Sequence, residues 1–569
     1  MMTGIGASKG FGIGKIVMIQ DVDLVIHDTP VSDPEAELTR FSQAVDTFVH
    51  RTEKMAAEIR TRVGEKEAEI LEGHIIMLQD PAMSDGVSDG IKEGLTAERA
   101  FSNVCDMFIS VFSMAEDELT KQRATDVEDI RSRMLKILLL HVEEVDIRNV
   151  PPHTILVAKD LTPSMTVGIS KENVVGILTE VGGYTSHSAI LARALGIPAV
   201  LSLADITTKA KDGMEAVCDG ESGTVILSPT DTEKKDYEEK RLAYLEQMKA
   251  LKEFFGKPTL TADNTSVELV CNIGKPSDAT AVLEASGEGV GLFRTEFLFM
   301  DRDTLPTEEE QFQAYKEVAE KLSGKPVIIR TLDVGGDKEI PYLHLPKEDN
   351  PFLGYRAIRV CLDQKDMYRI QLRALLRASA YGKIRIMIPM ITCIEELRGA
   401  KDLLEELKEE LRSQSISFDE NIPVGVMIET PAAVMIADLL AKEADFFSIG
   451  TNDLTQYIMA VDRGNAHVAN LYSHYNPAVL RAIKHVIACG KKEGIMVGMC
   501  GEAAADSRLI PLLLSYGLQE FSVSATSVLA TRATISKWDK ASADALADQV
   551  AALLTKEEVE KLVKGQTKQ

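Results

Sequence analysis

Eight short apolar runs recur through the second half of the chain, in the order VELVCN, GVGLFRTE, PVIIRTLD, KIRIMIPM, VGVMIET, DFFSIGTND, IMVGMCGE and EFSVSAT. Each is near-continuously apolar, as a strand buried on both faces must be. Helical patterns such as EEEQFQAYKEVAEKL and CIEELRGAKDLLEELKEEL lie between most of them. Eight strand–helix units within residues 260–569 predict a (β/α)8 TIM barrel. Polar residues crowd the ends of the runs: Asn272, Arg294 with Glu296, Arg330 with Asp333, Glu429, Asn452 with Asp453, and Cys500 with Glu502. That is the face where barrel enzymes place their chemistry.

Arg294, Arg330 and Arg356 fall at or just after strand ends, and Arg463 lies in the loop AVDRGN. A guanidinium grips carboxylate or phosphate through two parallel hydrogen bonds. Any one of these arginines reads as a salt bridge across the mouth; four converging ones imply a small, highly anionic ligand. Glu429 and Asp453 end adjacent predicted strands. Two carboxylates side by side repel unless a cation sits between them, and oxygen-only ligation suits Mg²⁺. Pairing of each with a neighbouring arginine is the alternative. Cys500 is either a small apolar filler or, near cations, a proton donor or acceptor at a carbon centre.

The 569 residues suggest three to four domains. Residues 1–20 are glycine-rich and then apolar, with a strand from Lys15 to Gln20; they fit no dinucleotide loop, and no Walker A sequence occurs. From about Asp33 to Val145, apolar residues recur at three- and four-residue spacing, broken at Gly64, at Asp80-Pro81 and at Gly94 to Ala97. That pattern predicts a helical-hairpin bundle, inserted before the strands that resume at Thr154. Residues 150–229 alternate short strands and helices and predict a compact α/β unit completed by the N-terminal strand. Asp231 to Phe255 is one charged helix, a linker between halves or else a solvated surface helix of one domain.

Within the α/β unit lies GGYTSHSAILARALGIP, residues 182–198. Two glycines permit a tight turn, Thr185 or Ser186 can cap a helix, and Gly196 with Pro198 ends it. His187 then sits in the first turn, where unpaired N–H groups and the helix dipole favour a neutral imidazole and an anionic guest. It is either a phosphate-accepting nucleophile or a residue that merely caps. A phosphate-accepting histidine in one half and a Mg²⁺–arginine anion site in the other can meet only if the linker lets the domains move.

The net charge of −25 argues against nucleic acid or an anionic membrane as the main partner. No apolar run approaches the length of a membrane span, and no secretory leader is expected. Seven scattered cysteines without a CxxC pair suit the reduced thiols of a cytoplasm.

DLTPSMT, GGYTSHSAILARALGIPAV, GVGLFRTEFLFMDRD, GGDKEIPYL, NPFLGYRAIR, IETPAA, DFFSIGTNDLTQY, AVDRGN and MCGE together resemble Enzyme I of bacterial phosphotransferase systems, over nearly the whole chain. The resemblance implies that His187 takes the phosphoryl group of phosphoenolpyruvate and passes it to a histidine of the carrier HPr, the first step of sugar uptake. It implies that Thr166 orients the imidazole, that Arg294, Arg330, Arg356 and Arg463 with Asn452 and Asp453 bind phosphoenolpyruvate, that Glu429 and Asp453 hold Mg²⁺, and that Cys500 protonates the enolate to pyruvate. The implied organisation is a multidomain α/β chain. Residues 1–20 and 146–229 form the phosphohistidine domain, 21–145 the helical HPr-binding subdomain, 230–259 the linker, and 260–569 the phosphoenolpyruvate-binding and dimerisation barrel of a cytoplasmic homodimer.

The sequence departs from the family pattern at three places. Tyr184 stands in GGxTSH where arginine is common, Ala505 replaces a usual glycine after MCGE, and LSLA follows IPAV where a glycine usually appears. A dikinase-type phosphoenolpyruvate enzyme shares these domains but needs a nucleotide-grasping domain, and the residues before the histidine unit read as helices without a phosphate loop. A non-enzymatic scaffold gives no reason for arginines, carboxylates and a cysteine to gather on one barrel face.

Overall fold

The computed structural model describes every residue except 20–25, 27–30, 63, 64, 115–117, 140–146, 148, 149, 162–164, 166–168, 184, 185, 301, 303, 337–339, 464, 466 and 567–569. It divides into two compact units, Met1–Met248 and Lys249–Gln569.

The first unit opens with strands β1 (Met2–Thr3), β2 (Ile5–Ser8) and β3 (Phe11–Met18). Helices α1 (Pro34–Arg62), α2 (Glu65–Leu78), α3 (Pro81–Lys92), α4 (Ala97–Ser113) and α5 (Glu118–Leu138) follow. Their starts sit where the sequence breaks: Asp80 caps Ala82 N–H with Pro81 at the first helical position, and the Thr96 hydroxyl accepts from Arg99 N–H. Phe41, Phe48, Val87, Ile91, Phe101, Val127, Ile130 and Met134 form their common core.

The chain then returns to the sheet as β4 (Thr154–Ala158) and β5 (Val174–Thr179), helix α6 (His187–Leu195), and strands β6 (Ala199–Leu201), β7 (Glu215–Asp219) and β8 (Thr224–Leu227). The sheet order is β1-β8-β7-β3-β4-β5-β6-β2, with β3, β4, β5 and β6 parallel and β3 and β7 antiparallel. The whole helical segment is thus the crossover between the parallel neighbours β3 and β4. The glycines of β3 serve packing: a Cβ on Gly12 would stand 2.1 Å from Val175 O, and one on Gly14 2.0 Å from His153 O. Helix α7 (Asp231–Lys252) leads out of this unit.

The second unit is a closed barrel of eight parallel strands: β9 (Glu268–Ile273), β10 (Val290–Arg294), β11 (Pro326–Arg330), β12 (Lys383–Ile388), β13 (Val424–Ile428), β14 (Phe446–Ile449), β15 (Met496–Met499) and β16 (Glu520–Val523). Every apolar run expected to be a strand is one. Helices α8 (Glu308–Lys321), α9 (Lys365–Ser379), α10 (Ile394–Ser413), α11 (Thr451–Met459) and α12 (Pro477–Glu493) are among those between them. Phe293, Ile329, Ile386, Val426, Phe447, Val497 and Phe521 pack outward in the large core shared with the helices. Leu292, Ile328, Met387, Met427, Phe446 and Cys500 form a separate cluster in the interior. This two-residue alternation aims the next residue in register, at each strand's C-terminal end, into the mouth.

Candidate active site

At the mouth, Arg294 and Arg330 are register partners on β10 and β11. Arg330 is buried and donates to Glu296 Oε1 at 2.5 Å, with its Nη1 3.0 Å from Asp333 Oδ2. Burial opposes its charge, but Glu296 and Asp333 outweigh that and hold its pKa above the ordinary value. Arg356 is 2% exposed and donates from Nε and Nη2 to the two oxygens of Asp333, at 2.9 and 3.1 Å. Its Nη2 also reaches Asp453 Oδ2 at 2.8 Å, and its Nη1 the Tyr457 hydroxyl at 3.2 Å. Tyr457 in turn donates to the Phe352 carbonyl.

Arg356 does not follow a strand end, as the sequence suggested. It arrives at the tip of the long segment after β11, and Asp333, just beyond that strand, pulls it in. The backbone there is tight: Gly335 has φ 100°, with a Cβ position 2.7 Å from Tyr355 O, and Ala357 has φ 53°. Such conformations cost about 1–3 kcal/mol and persist where the surroundings over-determine them. Asp453 likewise belongs to the first turn of α11 rather than to a strand.

Glu429 follows β13, buried, and accepts from Met390 N–H at 2.7 Å. Burial, with Asp453 and Asp333 adding repulsion, pushes its carboxyl up to about 8. The alternative of carboxylate–arginine pairing therefore holds for Asp453 Oδ2, while Asp453 Oδ1 is buried without a hydrogen bond. Arg330 Nε is also buried without an acceptor. Four carboxylates (Glu296, Asp333, Glu429 and Asp453) accompany two guanidiniums in this buried cluster. A divalent cation fits that excess and that orphaned oxygen. Among the described residues no group of three or more His, Cys, Asp or Glu forms a ready-made metal cage. Mg²⁺ is commonly held by one or two carboxylates together with water and substrate oxygens.

Cys500 follows β15, 6% exposed, and burial pushes its thiol up to about 11 despite the nearby Ser448 hydroxyl and Arg330. Its carbonyl accepts from Asn272 Nδ2 at 3.1 Å. Asn452 is partly buried and its Oδ1 accepts from Glu502 N–H at 3.2 Å. Arg294 and Arg463 are exposed; Arg294 lies 5.4 Å from the centre of the Phe297 ring, and Arg463 N–H donates to Gln456 Oε1 at 3.1 Å. The structure thus joins Arg356 to Asp453 directly and Arg330 to Arg356 through Asp333, and leaves Arg294 and Arg463 at the surface. Asp333, in sequence only a polar residue at a strand end, is the joint of the cluster. Tyr457 was missed, although it lies one helical turn after Asp453 in α11 and hence on the same face.

In the other unit, His187 is the first residue of α6. Ser186 caps it, accepting from Ala189 N–H at 3.4 Å, and Gly196 closes it at φ 65°. The Ser188 hydroxyl donates to Asp160 Oδ1 at 2.9 Å, pinning the helix start to the end of β4. Ser202, in the departing LSLA segment, has φ 56°, and its hydroxyl donates to Gly182 O at 2.6 Å. A left-handed serine here replaces glycine's freedom with a bond to the histidine loop. Ala505 ends a short 3₁₀ turn, Glu502–Ala505, without a positive φ, so alanine is accommodated there. Thr166 and Tyr184 lie outside the described residues.

Family models place these features together. The phosphoenolpyruvate-binding domain of PEP-utilising enzymes matches residues 248–540, the N-terminal domain 3–123 and the mobile domain 150–223. The phosphoenolpyruvate-protein phosphotransferase of Bacillus subtilis (strain 168) is 47% identical over 564 residues, covering 99% of each chain. That of Geobacillus stearothermophilus is 47% identical over 565 residues, 99% of this chain and 97% of its own. That of Staphylococcus aureus (strain MRSA252) is 44% identical over 573 residues, with both chains fully covered. The chain belongs to the phosphoenolpyruvate-protein phosphotransferase family and is an enzyme.

Proposed function

We propose that the protein transfers the phosphoryl group of phosphoenolpyruvate to its own His187 and then to a histidine of HPr, releasing pyruvate, at the head of phosphotransferase-system sugar uptake. One observation carries this reading: the mouth holds a buried donor without an acceptor, Arg330 Nε, and a buried acceptor without a donor, Asp453 Oδ1. A site of that kind takes an anion and a cation at once. Arg330 and Arg356 bind the phosphoryl and carboxylate oxygens, with Arg294 and Arg463 closing from the exposed rim beside Asn452. Glu429 and Asp453 hold Mg²⁺, which when bound neutralises charge on the transferring group. Cys500, kept as a thiol by its burial, hands its proton to the enolate carbon. His187 receives the phosphoryl group at the helix start, where backbone N–H groups stabilise the anion, and Thr166 orients its ring.

Exposed Ile76 on α2 and Met107, Val111 and Met114 on or just after α4 support HPr docking on the helical segment. Exposed Met435 and Leu439 support a barrel-to-barrel homodimer. No helix among the described residues is long and apolar enough to cross a membrane. The test is incubation with phosphoenolpyruvate and Mg²⁺, mapping of phosphate by mass spectrometry under alkaline conditions, and a chase with HPr. Phosphate on His187 that moves to HPr supports the reading; pyruvate release without phosphate on His187 overturns it.

A further inference from the structure

Strand β15 presents Met496, Gly498 and then Cys500 to the barrel interior. Met496 packs against the interior cluster to which Cys500 belongs, and a Cβ on Gly498 would stand 2.5 Å from Glu520 Oε1. Gly498 and Glu520 are register partners. Glu520, the first residue of β16, therefore fills the slot that the glycine leaves. It sits one pleat repeat, about 7 Å along the strand, beneath Cys500 on the side away from the mouth. It is fully buried, and neither carboxyl oxygen has a hydrogen-bond partner. The charged and titratable groups acting on it are Glu268, its register partner on β9, and Arg385 on β12; its own charge in turn acts on Cys500. Glu268 is exposed and Arg385 partly so, with Nη1 3.3 Å from Met496 Sδ. Glu520 thus lies between the exposed Glu268 and half-buried Arg385 at the barrel floor and the thiol.

A buried carboxylate without hydrogen bonds is costly, and a side chain of similar size without charge would pack there at less cost. Packing alone gives no reason for a glutamate. We propose that Glu520 is the proton-returning residue of the site: it resupplies Cys500, from the barrel floor, with the proton that Cys500 gives to the enolate. The proposal rests on the reading of Cys500 as the acid. Cys500 S–H protonates the enolate carbon, giving pyruvate and a thiolate. The Glu520 O–H proton then passes to that sulfur, directly or through one water, and the Glu520 carboxylate takes a proton from water at the floor. Glu520 starts each cycle loaded, because burial and then Glu268 push its carboxyl up to about 8. The transfer runs downhill, because the thiol stands higher, at about 11. Glu520 touches no substrate; it acts through Cys500.

The test uses the full chain with Mg²⁺, phosphoenolpyruvate and HPr, counting pyruvate per site in rapid-mixing and steady-state runs across pH. Wild type is expected to lose steady-state rate above about pH 8, as Glu520 empties. Glu520→Gln is expected to slow steady-state turnover tenfold or more, to slow the first turnover less than twofold, and to lose that alkaline limb. Arg385→Met, which removes the cation favouring the carboxylate, is expected to move the limb to higher pH and decides the matter if Glu520→Gln does not fold. A Glu520→Gln steady state within twofold of wild type with the same pH profile, or an unmoved limb in Arg385→Met, overturns the relay. Cys500→Ser separates the two readings: a first turnover at wild-type rate in that variant overturns the acid assignment itself and the relay with it. Loss of its first turnover, beside an unaffected Glu520→Gln, overturns the relay alone.

Discussion

Asp333 holds Arg356 by two parallel hydrogen bonds, Nε to Oδ1 at 2.9 Å and Nη2 to Oδ2 at 3.1 Å, while Nη1 of Arg330 lies 3.0 Å from the same Oδ2. One buried carboxylate thereby fixes the spacing of two guanidiniums that originate 26 residues apart. Ion pairs buried this deeply are poor stabilisers compared with apolar packing, but breaking one strands a charge. Removing Asp333 is therefore expected to damage both fold and site. Asp333→Ala should cost about 3–5 kcal/mol of stability by calorimetry and raise the KM for phosphoenolpyruvate. An unchanged KM in a folded variant would show that the two arginines find their spacing without it.

Arg356→Lys keeps the charge and loses the fork. Because Arg356 spans Asp333, Asp453 and the Tyr457 hydroxyl at once, lysine cannot reproduce the contacts. Steady-state kinetics should show kcat/KM lower by about 10²–10³-fold, the usual size for one preorganised donor.

Asp453→Asn removes the oxygen that stands ready for a cation while leaving an acceptor for Arg356. Calorimetric titration of Mg²⁺ in the presence of phosphoenolpyruvate should show affinity at least about tenfold weaker. Wild-type Mg²⁺ affinity in this variant would move the metal away from Asp453.

Ser186→Ala deletes the cap in front of His187. Thermal unfolding should register about 1 kcal/mol, the common worth of an N-cap hydroxyl, and the rate of phosphate incorporation at His187 should fall as the helix start frays. A variant that loses stability but phosphorylates at full rate would separate the cap from the chemistry.

The thiol of Cys500 should stay protonated across the working range. Its pKa is raised by burial, so the neutral form persists as pH climbs and gives way only near about 11. Alkylation with iodoacetamide at pH 8, mapped by mass spectrometry, should leave Cys500 unmodified in the native protein and label it after unfolding. Rapid native labelling would contradict the buried, protonated state that an enolate acid needs.

The barrel could be read from the chain because its strands are buried on both faces and so leave uninterrupted apolar runs, each punctuated by the polar residues that line the mouth. Arg330, Glu429 and Cys500 were legible for the same reason: a strand fixes the direction of the residue that ends it. Arg356 and Asp453 were recognised by type but misplaced. The segment that brings Arg356 back is held by Asp333 and by glycine and alanine at positive φ, and such long-range pairing leaves no period in a sequence. The partnerless atoms of Arg330 and Asp453 were out of reach altogether, since a missing hydrogen bond is a property of neighbours rather than of a residue. Glu520 escaped notice because it opens its strand instead of closing it, at the end where conserving structure is the ordinary expectation of a barrel.

The placement of α1–α5 between the parallel neighbours β3 and β4 has a consequence for biosynthesis. Residues 19–153 must be made before β3 meets β4, and its other neighbour, β7, comes later still. At ribosomal speeds of about 5–20 residues per second, the nascent strand waits roughly 7–27 seconds with both edges open. The helices, whose contacts are local, condense during that interval. The three strands that leave the ribosome first, β1, β2 and β3, thus all wait for partners made after the helices, β8, β6 and β4, and a chaperone that covers apolar segments near the exit tunnel would meet this protein at its amino terminus.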